Sequence, residues 1–404
     1  MLLTMSSLLS YSTIGQETVK TDSVVKTVEA PKVPSVKWYE ALAIRGYAQV
    51  RYNRLLETNE DLGCEQCDKS WGKNGGFFIR RARLILFGNV HERVYVYIQP
   101  DFASSASATG LHFVQLRDAY FDLSLDKKKE YRLRFGQSKV PYGFENMQSS
   151  QNRLALDRND ALNSAVSNER DLGVFFYWAP SKTRKMYSEL VSSGLKGSGD
   201  YGVFAFGAYN GQTANKPEAN NDLHLVTRLA YPFSIGKTQI LELGIQGYTG
   251  KYVVNTLTKN VITTGNAVYK DQRVAASLIL YPKPFGFQAE YNVGTGPQYN
   301  PINNTVEQKD LEGGYAQIMY NLTIKKQVLI PFVKYQYYKG GKKHELDARS
   351  YTVNDLEFGI EWQPIRNFEL VAIYTMSERR YEDAVLKNNL QIGSLLRLQA
   401  QFNF

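Results

Sequence analysis

From Trp38 to the last residue the sequence breaks into stretches of about 9–14 residues in which apolar and polar side chains alternate, with turn chemistry between them. Leu356, Phe358, Ile360 and Trp362 alternate with Asp355, Glu357, Gly359 and Glu361. Phe285, Phe287, Ala289 and Tyr291 alternate with Gly286, Gln288, Glu290 and Asn292. In the closing stretch Leu396, Leu398, Ala400, Phe402 and Phe404 alternate with Arg397, Gln399, Gln401 and Asn403. Successive side chains of a strand point to opposite faces, so a sustained period of two means a sheet whose faces meet different surroundings. Helical spacing is absent on this reading. No run reaches the roughly eighteen apolar residues of a membrane helix, and mean hydropathy is -0.37, which excludes a bundle of membrane-crossing helices.

The turn signals place sixteen strands, at about 41–53, 76–88, 93–103, 112–125, 130–139, 169–180, 200–210, 222–231, 238–250, 271–281, 284–293, 311–324, 327–339, 350–363, 367–378 and 390–404. The connections alternate in length. Long ones fall at 54–75, 104–111, 140–168, 211–221, 251–270, 294–310, 340–349 and 379–389, and short ones at 89–92, 126–129, 232–237, 282–283, 325–326 and 364–366. A soluble sandwich has no reason to obey this rule. A transmembrane, antiparallel, up-and-down all-β barrel does, because its periplasmic turns are short and its outside loops long. An even count puts both ends of the barrel on the periplasmic side, and closure removes the strand edges that lipid leaves unsatisfied. Segment 181–199 is too long for its place: it is either a decorated turn or an extra stretch of strand through Met186 to Val191.

Composition agrees with a membrane barrel. The 28 tyrosines and 20 phenylalanines suit pleated, half-buried surfaces and the aromatic girdles at the two rims. The net charge of +9 points to an anionic partner. Residues 1–15, uncharged and apolar up to Tyr11, read as a secretory signal cleaved near Ser12 to Gly15, although no basic residue precedes them and no Ala-x-Ala site closes them. Residues 16–37, with Pro31 and Pro34, read as a mobile periplasmic arm, and 38–404 as the outer-membrane barrel. The chain ends on Phe404 at the outward face of an alternating last strand, where the barrel-assembly machinery reads a terminal aromatic.

Three stretches carry a family resemblance. They are Phe78-Ile79-Arg80-Arg81-Ala82-Arg83-Leu84, Leu116-Arg117-Asp118-Ala119-Tyr120, and Leu133-Arg134-Phe135-Gly136-Gln137-Ser138-Lys139-Val140-Pro141-Tyr142-Gly143-Phe144-Glu145. With the opening Arg45-Gly46-Tyr47-Ala48-Gln49-Val50-Arg51-Tyr52, they resemble the phosphate-selective porins O and P. The motifs cluster in residues 45–180, and the remainder is similar in architecture and in its closing strand. The resemblance implies a sixteen-stranded, trimeric outer-membrane porin of a Gram-negative bacterium, with its third outside loop folded inward as a constriction. That loop corresponds to 140–168, the longest connection, and its stretch from Gln151 to Val166 can make a short helical turn.

The basic residues Arg80, Arg81, Arg83, Arg117, Arg132, Arg134, Lys139, Arg153 and Arg158 are the candidate pore-lining and anion-binding set. On 130–139, Tyr131, Leu133 and Phe135 point one way, so Arg132 and Arg134 face the lumen; a charge on the lipid face costs about 2–4 kcal/mol near the midplane. On 76–88 parity conflicts: Arg81 and Arg83 share a face with Ile79 and Ile85, and Arg80 lies opposite. Either one arginine sits at the outer rim or the strand contains a bulge. A lumen ring of arginines draws small anions, phosphate among them, because guanidinium forks suit its oxygens and weak sites in series let the ion leave. The competing reading pairs these arginines with Asp101, Asp118, Asp122 and Glu145 merely to balance charge.

Cys64 and Cys67 lie in the first long loop, where a disulfide is expected outside the cell. His91, His112, His224 and His344 are scattered, so no metal site and no cofactor is expected. No nucleophile and base stand at a catalytic spacing, so an enzyme is not expected, and nucleic-acid binding would leave the alternation unexplained. Three functional classes stay open: a passive porin, selective for anions or general; a barrel enzyme; and a surface-binding barrel with a plugged lumen.

Overall fold

The computed structural model describes residues 37–67, 71, 76–104, 112–236 and 238–404. The expected signal segment 1–15 and arm 16–37 lie outside them, Lys37 excepted. From Trp38 onward the chain is one closed antiparallel sheet. Its strands are β1 (Leu42–Leu55), β2 (Phe77–His91), β3 (Val94–Ser104), β4 (Phe113–Ser124), β5 (Tyr131–Lys139), β6 (Arg170–Trp178), β7 (Phe204–Tyr209) and β8 (His224–Ile235). They continue with β9 (Gln239–Val253), β10 (Val268–Leu280), β11 (Phe285–Asn300) and β12, which is Thr305–Tyr320 resumed after Asn321 by Leu322–Ile324 in the same register on its neighbour. The circuit ends with β13 (Gln327–Gly341), β14 (Ser350–Ile365), β15 (Phe368–Glu382) and β16 (Leu390–Asn403).

Every expected strand is present. The largest departures are at β7, which starts later, and at β11 and β12, which run on to Asn300 and from Thr305. The expected long loop 294–310 is therefore mostly a tall hairpin. Alternation sets the two faces. On β14, Phe358, Ile360 and Trp362 are exposed on the outside, while Asp355, Glu357 and Glu361 are buried within. Most of the buried core lies inside the barrel.

Closure rests on β1 pairing with β16, Tyr47 opposite Asn403. Gly46 and Phe404 exchange backbone hydrogen bonds of 2.9 and 3.0 Å. A Cβ on Gly46 would run into the Phe404 ring and the Arg83 carbonyl oxygen. Gly46→Val is therefore expected to cost about 1–3 kcal/mol as an overpacking change. It should lower the folded fraction seen as the heat-modifiable band on gels, and an unchanged fraction would contradict the closure geometry.

Segment 181–199 corrects the view that helical spacing is absent. Ser181–Ser192 is an α-helix, not a strand, and Thr183, Tyr187 and Leu190 form its buried stripe at i, i+4 and i+7. Pro180 precedes it, and Gly194 follows at φ 72°, the left-handed position that favours glycine beyond a helix end. The helix packs Tyr187 and Leu190 against Ile279, Tyr281 and Phe144. Beyond it, Lys196 pairs with Glu361 of β14 at 2.6 Å. The segment leaves the wall after β6, and β14 stands eight strands further around, so this chain crosses the full width of the bore.

Candidate functional site

The conflict of parity on β2 is resolved by a bulge. The ladder with β1 steps from Gln49 opposite Arg81 to Val50 opposite Ile79, so Arg80 is the extra residue. Ile79 then faces outward at 40 % exposure, while Arg81, Arg83 and Ile85 are buried inside. Arg80 turns to the carbonyl of Cys67 at 3.0 Å. Cys67 is itself joined to Cys64 by a disulfide, in the first outer loop.

Residues 140–168 lie within the barrel. Glu290 of β11 accepts from the backbone N–H groups of Phe144 and Glu145 at 2.5 and 2.8 Å. Lys334 of β13 binds Glu145 at 2.5 Å, and Arg379 of β15 binds Asp160 at 3.0 Å. Arg397 of β16 binds Asp157, Arg51 of β1 donates to the Leu156 carbonyl at 2.9 Å, and Arg273 of β10 donates to Ser164 Oγ at 2.7 Å. Apolar contacts reinforce these: Leu154, Ala155 and Leu156 pack on Phe332, Val371 and Ile373, and Leu162 and Val166 join the lumen tyrosines. Buried charges require such partners, since an uncompensated one costs several kcal/mol. The loop is thus held to the side of the barrel formed by β10–β16, and its tip reaches β1, where Ser150 Oγ meets the Tyr47 hydroxyl at 2.6 Å.

Two cavities remain, lined mostly by the opposite wall. The outer one, about 760 Å³, is lined by Arg80, Arg81, Arg83, Arg117, Arg153, Arg158 and Arg349 against Glu65, Asp101, Asp157 and Glu169. The inner one, about 540 Å³, is lined by Arg45, Lys129, Arg132, Arg134, Lys139, Arg170 and Arg184 against Asp118, Asp122 and Asp200. Each chamber carries an excess of positive charge among its described residues.

All nine candidate cations therefore line one chamber or the other, but they divide into two kinds. Several are paired. Arg83 donates to Asp101 at 2.7 Å, Arg134 grips both oxygens of Asp122 at 2.7 and 2.9 Å, Arg132 meets Asp200 at 2.8 Å, and Arg158 meets Glu169 at 2.7 Å. Asp118 pairs with Arg170 at 2.9 Å, and Arg117 lies 3.8 Å from Glu169. Lys139 is capped by the carbonyls of Met147 and Gln148 at 2.9 and 2.6 Å. Arg81 and Arg153 differ. Arg81 donates to Gln49 at 2.8 Å and Arg153 to the Leu156 carbonyl at 3.2 Å, and among the described residues neither has a carboxylate in salt-bridge contact. Nε of both and Nη1 of Arg153 are buried without an acceptor among the described residues. The charges of Arg51, Arg80, Arg83 and Arg153 all bear on Arg81.

Sequence reasoning missed the cations that hold the loop, namely Arg51, Arg273, Lys334, Arg379 and Arg397, and the inner-chamber residues Arg45, Arg170 and Arg184. For the strand residues the signal was available: Arg51, Arg273 and Arg397 sit at inward parity on their strands. Their partners, more than a hundred residues away, left no local trace.

The description of the phosphate-selective porin O and P family matches residues 60–404. Among solved structures, the outer membrane channel DcaP of Acinetobacter baumannii is similar with a TM-score of 0.56 and 13% identity, over 90% of this chain and 97% of that one. Salmonella typhi OmpF in complex with daunomycin gives 0.55 and 13% over the same shares. The trimer form of Vibrio cholerae OmpT gives 0.50 and 12%, over 90% of this chain and 100% of that one. At such identities the likeness is one of fold. No curated protein matches the sequence. With most of its length inside the family description and a sixteen-stranded barrel around a basic lumen, the chain belongs to the phosphate-selective porin O and P family, channel-type barrels of the Gram-negative outer membrane.

Proposed function

We propose that the chain is a passive channel for small anions, phosphate among them, whose path runs through the two basic chambers along β1–β6. The observation that carries this reading is the pair Arg81 and Arg153, which line the outer chamber and, among the described residues, lie in no ion pair. A guanidinium offers planar forks of donors that match oxyanions, and a low-dielectric wall strengthens the attraction. Loop 140–168 is the constriction of this channel, since it occupies the far side of the bore. The ion pairs of Arg83, Arg134 and Arg158 keep the remaining attraction moderate, as a channel requires if the ion is to leave.

Reversal potentials across a planar bilayer under a potassium chloride gradient test this. Chloride preference is expected, with phosphate reducing the chloride current; cation preference would overturn the reading. A second reading is a plugged barrel that works through its outer loops, favoured by the chain that crosses the bore from β6 to Glu361. It predicts no steady conductance. We further propose that the barrel assembles as a homotrimer, as the Vibrio cholerae relative does in its trimer form. Support comes from an apolar groove on its outer face, lined by Phe77, Leu329, Ile360, Trp362, Leu370 and Ala400. We also propose that the outward Phe404 ring, 58 % exposed, is a contact for the barrel-assembly machinery.

A further inference from the structure

The inner chamber holds aromatic surface as well as charge. Tyr95 and Tyr97 of β3, Tyr120 of β4 and Tyr201 beyond the helix all line it, and each is only half-buried, so ring surface faces the lumen rather than lipid. The rings of Tyr97 and Tyr120 stack at 5.1 Å with planes 14° apart. Arg134 continues the stack, its guanidinium carbon 3.8 Å from the Tyr120 centroid and 6.0 Å from that of Tyr201. Asp122 fixes that guanidinium in plane with two hydrogen bonds.

Apolar ring surface left in water is unfavourable, and it is retained where something covers it. Next to the stack, the Tyr97 hydroxyl donates to Gln99 Oε1 at 2.8 Å, which orients that amide. Gln99 is 4 % exposed and lines the chamber, yet its Nε2 has no acceptor among the described residues. Nε of Arg132, on the same chamber wall, also has none. Flat rings, fixed cations and unused donors therefore converge on one small space.

We infer that the inner chamber favours anions that carry a flat ring, aromatic carboxylates being the class. The ring lies along Tyr97 and Tyr95, while Gln99 and the neighbouring cations meet the carboxylate. Aromatic pairs prefer offset stacking, which lets such a solute slide between positions of similar energy. This rests on the anion-channel reading and adds a solute class to it.

The test uses the full-length protein in planar bilayers and measures block of the chloride current by benzoate, acetate and cyclohexanecarboxylate, which share one charge. Benzoate is expected to half-block at about a five-fold lower concentration than acetate, with cyclohexanecarboxylate between them. Tyr97→Leu with Tyr120→Leu should raise the benzoate value to that of acetate. Tyr97→Leu alone, which leaves the Tyr120–Arg134 contact in place, should raise it part of the way. Equal block by benzoate and acetate in the unaltered protein would overturn the inference, as would benzoate block that ignores both variants. Reversal potentials from the same membranes separate the two levels: cation preference overturns the anion channel and this inference together, whereas anion preference with ring-blind block overturns this inference alone.

Discussion

Replacing Arg81 and Arg153 by alanine together is expected to remove most of the channel's preference for anions. A unit charge about 7 Å from a passing ion in water contributes about 0.6 kcal/mol. Losing two such charges lowers the local anion concentration about sevenfold. The measurement is the shift of reversal potential in a chloride gradient, relative to the unaltered protein. Because neither arginine lies in an ion pair among the described residues, the double variant orphans none of their acids, and its folded fraction should match that of the parent. An unmoved reversal potential would place selectivity elsewhere. Arg132→Ala with Arg134→Ala, which strand parity alone singles out, is a poorer probe. It strands Asp122 and Asp200, and breaking a buried pair costs about 3–5 kcal/mol, so selectivity and stability would fall together.

The second large effect concerns the helix at the periplasmic end. Trp178 and Phe204 are paired across β6 and β7, and Ala179 and Val203 extend the ladder to their neighbours, so replacing residues 181–199 by a short turn keeps these bonds and leaves Asp200 with Arg132. That replacement is expected to raise single-channel conductance severalfold, because the deleted chain crosses from one wall to the other. Lys196→Ala is the milder form. It removes the cation from Glu361, releases the crossing segment at its far end and should make the current flicker rather than grow steadily. Conductance unchanged by the deletion would mean that ions already pass beside the helix unhindered.

Much of this architecture was legible because a membrane barrel imposes two unlike surroundings on neighbouring residues. Leu356 to Trp362 and Leu396 to Phe404 show the alternation without ambiguity, and the short and long connections repeat it at a larger scale. The pattern loses its meaning where one residue breaks the period. At Arg80 a bulge puts Arg81 and Arg83 on the inward face together with Ile85 and sends Ile79 out, an outcome that parity alone could not choose. It loses its meaning again at the helix. Thr183, Tyr187 and Leu190 carry the helical period, but a scan for alternation passes over three positions in twelve. Pairs such as Glu145 with Lys334 and Asp157 with Arg397 join distant parts of the chain, so the ledger of which arginines are neutralised depends on the folded circuit.

The attachment of the long loop to β10–β16 has a consequence for how this protein can change over time. Those strands carry the counter-charges for the loop, so a substitution at Glu290, Lys334 or Arg379 is first a question of folding. Nearly all of the side chains that face the two open chambers come instead from one uninterrupted run of the gene, from Arg45 to Tyr201. Solute preference is thereby a nearly separable cassette. Exchanging that run between related barrels would transplant the filter while leaving most of the mould that holds it in place.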